Sequence, residues 1–314
     1  MKDGKFSIVY MGTPDFAVPA LKAVTEAGHD VRLVITQPDR PKGRGKKLAP
    51  PPVKTAALNM GLDVDQPEDV NTPEVQKRLK TLSPDIFIVA AFGQILTRSI
   101  LDIPAVYPVN IHASLLPAYR GASPIQAAIS NMEKETGITT MVMEERLDAG
   151  DILMTSRLPV QPEDTAGTLH DRLAAAGADL IVETLDALAA GTVTPVPQDH
   201  GMATYTGLLK KSHGKIRWEN RAAEICAHIR AMHPWPGAFT CLDDKMIKVF
   251  RASPAEEDSV APPGTITRLG PDRIRVAAGQ GCVDIIELMG KSGKHLSADA
   301  FLRGTTLEPG MVCS

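Results

Sequence analysis

Short apolar runs of strand length recur through the first 190 residues with helix-compatible stretches between them, and this alternation constrains the fold more than any other feature. The runs are Phe6–Tyr10, Val31–Thr36, Ile86–Ala91 and Val109–His112, and the intervening stretches are Phe16–Ala27, Val53–Asn59 and Glu74–Leu82. Brief buried strands separated by helices predict a Rossmann-like α/β layer, a mainly parallel sheet with helices on both faces. Ligands on such sheets bind beyond the carboxyl ends of the strands. Two further extended segments, Gly137–Glu144 and Ile152–Val160, flank Arg146–Asp151 and read as a hairpin. A helix is expected from about Thr165 to Ala190, where Leu169, Leu173, Ala176, Leu180, Leu185 and Leu188 form an apolar stripe.

The pattern changes after Gly191. Gly191–Gly201, with Pro195 and Pro197, reads as a linker. Beyond it comes one helix, at about Arg221–Met232, and then Lys248–Ala252, Gly264–Leu269, Arg273–Ala277 and Cys282–Leu288 as closely spaced strands. Short strands with Gly and Pro between them predict a small β-barrel. The expected organisation is a domain at 1–190, a linker at 191–204 and a second domain at 205–314.

The chain of 314 residues, 43% hydrophobic and 23% charged, suits two globular domains. Its longest apolar runs, such as Ile86–Phe92, are too short to cross a bilayer. Met1–Lys5 leads straight into a strand and lacks the apolar core of a signal peptide. Cys226, Cys241, Cys282 and Cys313 are widely spaced with no Cys-x-x-Cys, as expected of reduced residues in the cytoplasm. Net charge is −3, which argues against strong nonspecific binding to nucleic acid. Its distribution is uneven: residues 1–202 carry 19 Lys and Arg against 25 Asp and Glu, and residues 203–314 carry 15 against 12. The second domain is therefore mildly basic, and one loop in the first, Gln37–Pro52, is strongly so. That loop holds Arg40, Lys42, Arg44, Lys46 and Lys47 against the single acid Asp39. A charge run is ordinarily a solvated face, but this one follows a strand on the active-site side of the sheet and could track a phosphate backbone.

The chemistry concentrates in Asn110-Ile111-His112-Ala113-Ser114-Leu115-Leu116-Pro117, followed by Tyr119-Arg120-Gly121 and Ser123-Pro124. In an extended strand, residues i and i+2 share a face, so Asn110 and His112 point at one spot. An amide donor beside an imidazole suits negative charge growing on a carbonyl oxygen. Ser123-Pro124 then carries N-cap and first-turn chemistry. Ser114 lacks the Gly-x-Ser-x-Gly context of a nucleophile. Asp148 and Asp151 each read alone as turn residues. Gly12-Thr13-Pro14 follows the first strand but lacks Gly-x-Gly-x-x-Gly, so no dinucleotide is expected. His228 and His233 are five apart, on different helix faces, and indicate no metal site.

Asn-x-His-x-Ser-Leu-Leu-Pro followed by Arg-Gly-x-x-Pro resembles the 10-formyltetrahydrofolate-dependent formyltransferases. Three further segments fit the branch acting on charged tRNA: Met11–Phe16, Thr36–Pro41 running on through Gly43–Lys47, and Leu147–Asp151. Ala113, Ala149 and Arg217 depart from the usual glycine, threonine and aspartate. The resemblance implies transfer of the formyl group of 10-formyltetrahydrofolate to the α-amine of methionyl-initiator tRNA, without metal or NAD, by a cytoplasmic monomer. It implies Asn110, His112 and Asp148 as the catalytic set, with Asp151 as rival to Asp148. A cationic His112 would stabilise the oxyanion and Asp148 would relay the amine's proton. By the same resemblance Ser114, Leu115, Leu116 and Pro117 hold the folate, Phe92–Leu96 lines the pterin pocket, and the second domain is an oligonucleotide-binding-type barrel. Arg44, Lys46 and Lys47 are the expected tRNA contacts. The rival readings are an amino-sugar-nucleotide formyltransferase, a tRNA-binding module without catalysis, and a hydrolase that releases formate from the same donor.

Overall fold

The apolar runs form strands wherever both sheet faces are covered: β6 below has all five residues buried. The computed structural model describes residues 4–42, 47–243, 245–255, 257–290 and 293–314. Its described residues divide into two units. One comprises those up to 124 with 135–159 and 170–206, and the other comprises 125–134, 160–169 and 207–314.

Along the chain come β1 (Ser7–Gly12), α1 (Val18–Glu26), β2 (Asp30–Ile35), β3 (Arg40–Lys42), β4 (Lys47–Ala49), α2 (Pro52–Asn59), β5 (Val64–Asp65), α3 (Pro73–Leu82) and β6 (Ile86–Ala90). There follow α4 (Arg98–Leu101), β7 (Tyr107–His112), β8 (Arg120–Gly121), α5 (Pro124–Ser130), β9 (Glu135–Val142), β10 (Ile152–Pro159), α6 (Ala166–Ala190) and β11 (Tyr205–Thr206). Local chemistry sets the ends of α3: Thr72 accepts from the Val75 amide, Pro73 opens the first turn, and Ser83 closes the helix at φ 45°.

The main sheet has the order β10-β9-β7-β6-β1-β2-β5. Strands β7 to β5 in that order are parallel, while β9 and β10 run antiparallel at one edge. The expected hairpin is thus this antiparallel edge. Gly177 of α6 sits close against Ile111 and Ile138, where a Cβ would lie 3.2 Å from the Ile111 methyl. Chain order reverses between β1 and β6, the place where open α/β sheets leave a crevice. Thr13, Gln37, Arg40, Pro51, Ala91 and Gly93 line a groove there. Across it Thr13 Oγ1 donates to the Phe92 carbonyl at 2.7 Å.

Two expectations are corrected by this packing. The side chains of Phe92 and Leu96 belong to the core with Val9, Leu33 and Phe87, so within Phe92–Leu96 a pterin-lining role falls to the backbone, to the exposed Gly93 and Ile95 and to the half-buried Gln94. The 191–204 segment is no free spacer. Val196 exchanges backbone hydrogen bonds with Ile152 at 2.8 Å, and the Arg120 amide donates to the Thr204 carbonyl at 2.8 Å, just before β11 pairs in parallel with β8.

The second unit contains α7 (Ala222–Ala231), β12 (Ala238–Leu242), β13 (Lys245–Ala255), β14 (Ile266–Leu269), β15 (Ile274–Ala277), β16 (Cys282–Met289), β17 (His295–Ser297) and α8 (Ala298–Leu302). Its sheet is antiparallel, in the order β12-β13-β16-β15-β14 with β17 on β16. The gap between the edge strands is bridged by Met311–Ser314. The Ile266 amide donates to Met311 and the Cys313 amide to Gly264, while Cys241 and Ser314 exchange amide bonds. These bonds occupy edge groups that would otherwise be unpaired. Strands β12 and β17 have no counterpart among the segments the sequence pattern singles out, although β12 alternates buried and half-buried residues as a strand should.

Candidate active site

Asn110 and His112 occupy the carboxyl end of β7, two residues apart, and both are buried. The Asn110 side chain makes no hydrogen bond among the described residues, yet its polar atoms are not sealed from solvent. Buried amides normally find a partner, so an open one at a strand end is a donor available to a ligand.

His112 is held from two sides. Nε2 lies 3.0 Å from the Tyr119 carbonyl. A carbonyl oxygen only accepts, so Nε2 carries a proton and Nδ1 is the nitrogen left for chemistry. Nδ1 faces Asp148 Oδ2 at 3.6 Å, with side-chain exposures of 7% and 12% for the two residues. That separation permits a strong electrostatic interaction and a short tightening on reaction.

Asp148 lies in the turn between β9 and β10 at φ 49°, a left-handed conformation that aspartate tolerates better than most residues. Its Oδ2 accepts from the Gly121 amide at 2.7 Å. Gly121 has φ 106°, and a Cβ there would lie 2.1 Å from the Thr206 carbonyl, so only glycine presents its N–H to the carboxylate this way. Gly150 is equally constrained: a Cβ would lie 1.8 Å from the Val142 carbonyl. The rival Asp151 precedes β10, where its carbonyl takes the Val142 amide. Among the expected site residues the fold therefore brings Asn110, His112 and Asp148 together.

The expected folate-holding residues separate. Ser114 is fully buried, and its hydroxyl donates to the Ala118 carbonyl at 2.6 Å. Thr139 Oγ1 donates to the Ser114 carbonyl and accepts from the Leu116 amide. Ser114 and Leu116 thus build the turn, and the Ser114 hydroxyl is already committed to it. Leu115 and Pro117 are partly exposed and could touch a ligand. In the basic loop Lys47 is exposed, while Arg44 and Lys46 lie outside the described residues. Asp39, at the base of that loop, takes Lys54 Nζ at 2.8 Å and Gln66 Nε2 at 2.8 Å. These hydrogen bonds hold its carboxyl below the usual range.

Sequence reasoning missed Gln198 and the structural part of Arg120. Both are buried, and Gln198 Nε2 donates to the Asp148 carbonyl at 3.0 Å and the Gly150 carbonyl at 2.7 Å. Gln198 stands in a Pro-rich stretch, and nothing around it in the sequence signals this contact.

An open amide and an imidazole–carboxylate pair stand at the carboxyl end of β7, and a groove lies at the strand-order reversal between β1 and β6. The family model described as formyl transferase matches residues 5–185, and that described as formyl transferase, C-terminal domain, matches residues 208–306. The chain belongs to the formyl transferase family. It is 49% identical over 305 residues to a methionyl-tRNA formyltransferase of Geobacter metallireducens, covering 97% of each chain. With that of Moorella thermoacetica it shares 47% identity over 305 residues, 97% of this chain and 98% of that one. Among solved structures, an N-formyltransferase from Helicobacter canadensis in complex with folinic acid and dTDP-3-aminofucose superposes with a TM-score of 0.68. It shares 20% identity, over 89% of this chain and 98% of that one. HypX from Aquifex aeolicus in complex with tetrahydrofolic acid gives 0.64 at 18% identity, over 97% of this chain and 49% of that one.

Proposed function

We propose that this formyltransferase moves the formyl group of 10-formyltetrahydrofolate to the α-amine of methionyl-initiator tRNA, as a cytoplasmic monomer. The observation that carries the chemistry is the open Asn110 amide beside a His112–Asp148 pair held at 3.6 Å. The acceptor follows from relatives that are named for this activity and match nearly the whole chain.

The neutral amine attacks the formyl carbon as its C=O bond opens to an oxyanion. Asn110 donates to that oxygen, a contact stronger in the transition state than before it. His112 keeps Nε2–H on Tyr119 and contributes through Nδ1. When that nitrogen is protonated, the imidazolium lies beside the reacting centre and is balanced by Asp148. The proton lost by the amine passes through the Asp148–His112 pair and returns to N10 of the folate as the C–N10 bond breaks. Protons balance, and no enzyme side chain is acylated. Leu115, Pro117 and the groove at the β1–β6 reversal hold the donor. Arg44, Lys46, Lys47 and the mildly basic region from 205 onward take the tRNA backbone, mainly through phosphates.

The test supplies formyl-labelled donor with methionyl-initiator tRNA, with an amino-sugar nucleotide, or with no acceptor. Label appearing on the methionine amine supports the reading. Label on the sugar amine, or free formate at the same rate in every tube, overturns it.

A further inference from the structure

Arg120 is buried, and none of its side-chain hydrogen-bond partners among the described residues is a carboxylate. Nε and Nη2 donate to Gln198 Oε1 at 3.1 and 2.6 Å, Nη2 to His200 Nδ1 at 3.0 Å, and Nη1 to the Tyr205 hydroxyl at 3.3 Å. A guanidinium can only donate, so the Gln198 atom facing it must be the carbonyl oxygen. This sets the amide's direction. Both N–H bonds of Gln198 then point at the carbonyls of Asp148 and Gly150, at 3.0 and 2.7 Å. The side chain is saturated, with Arg120 on one end and the catalytic turn on the other.

The turn needs such a hold. Asp148 sits at φ 49°, a conformation that a non-glycine residue keeps only where its surroundings hold it there. Three consecutive residues, 119–121, divide the work. The Tyr119 carbonyl orients His112, the Gly121 amide takes the Asp148 carboxylate, and Arg120 reaches the Asp148 backbone through Gln198. Backbone pairing of Arg120 and Gly121 with Tyr205 and Thr206 fastens this strip to the segment that carries Gln198.

We propose that Arg120 and Gln198 are positioning residues: together they hold the Asp148 turn at the distance from His112 that proton transfer requires. The inference rests on the proposed Asp148 role, and it adds that the segment 196–206 is part of the catalytic apparatus. Gln198→Glu is the informative change. A carboxylate still accepts from Arg120, now as an ion pair, but has no hydrogen for the Asp148 and Gly150 carbonyls.

The experiment measures single-turnover formyl transfer to methionyl-initiator tRNA by wild type, Gln198→Glu, Asp148→Asn and the double variant. Hydrogen exchange of the 146–151 amides is followed in parallel. Gln198→Glu is expected to lower kcat by roughly 10- to 100-fold with KM unchanged. In the Asp148→Asn background the same change should cost less than about 3-fold, because the two act as one unit. Exchange at 146–151 should quicken in Gln198→Glu while the rest of the chain keeps its protection. Equal losses in both backgrounds, a loss confined to KM, or unaltered exchange would overturn the inference. If Gln198→Glu does not fold, Gln198→Met is read in the same way. Wild type that transfers nothing to tRNA defeats the proposed function instead, while the exchange measurement still decides whether Gln198 holds the turn.

Discussion

Replacing Asp148 by Asn removes one charge while leaving an oxygen that can accept from the Gly121 amide, so the turn should persist. The charge lies 3.6 Å from His112 Nδ1. At an effective dielectric of about 20, unit charges at that separation interact by roughly 4–5 kcal/mol. If His112 gains positive charge only on the way to the transition state, this is the most that Asp148 can contribute. It corresponds to about three orders of magnitude in kcat. Quenched-flow formylation of methionyl-initiator tRNA with enzyme in excess measures the step directly, and binding of a formyl-folate analogue is followed separately. We expect kcat to fall by roughly 100- to 1,000-fold, analogue affinity to change by less than about 3-fold, and the melting temperature to hold. An Asp148→Asn enzyme within about 3-fold of the wild-type kcat, or a loss residing wholly in analogue binding, would refute the electrostatic argument.

Asn110→Ala should cost about 2.7–4 kcal/mol in transition-state stabilisation and leave thermal stability nearly unchanged, because its amide holds nothing among the described residues; calorimetry and kcat test this together. Ser114→Ala should do the reverse, lowering stability by roughly 1 kcal/mol in denaturant titration with folate-analogue affinity intact. Gly150→Ala should lower both stability and kcat, since its Cβ would have to displace the Val142 carbonyl; thermal melts and turnover assays read the two losses. Asp284, buried in the second unit, is held below the usual carboxylate range by hydrogen bonds from Arg275 at 2.8 and 2.9 Å. A depressed folded-state pKa stabilises fully above the unfolded value of about 4 and is lost as pH falls through the folded value. Asp284→Asn should therefore lower stability at pH 7 and flatten the acid limb of a melting-temperature profile below about pH 4.

The parallel sheet was legible because its strands are unbroken apolar runs such as Ile86–Ala90, whose burial on both faces leaves few alternatives. The end of β7 stood out for a different reason: an amide and an imidazole two apart share one face of a strand, and the run Ser114-Leu115-Leu116-Pro117 behind them carries the family resemblance. Asp148 was weaker. Alone it is a turn aspartate, and only the resemblance preferred it to Asp151. What the sequence could not carry is the support. His112 is oriented by a backbone carbonyl and Asp148 by a backbone amide, groups that nearly every residue possesses, and Gln198 reaches the turn from 50 positions away. Arg120 was read only as part of a motif, though it is among the largest fully buried side chains. Ser114 carries a second task that the motif did not signal, since its hydroxyl donates to the Ala118 carbonyl within the turn.

The central claim is that the formyl oxygen is received by Asn110 beside the His112–Asp148 pair. A crystal structure with a non-transferable formyl-folate analogue tests it most directly. The formyl oxygen is expected within about 2.7–3.1 Å of the Asn110 amide nitrogen, with the formyl carbon open to an amine from the side of Asp148. An analogue bound with its carbonyl oxygen more than about 5 Å from Asn110 and His112, beyond any hydrogen bond, would contradict it.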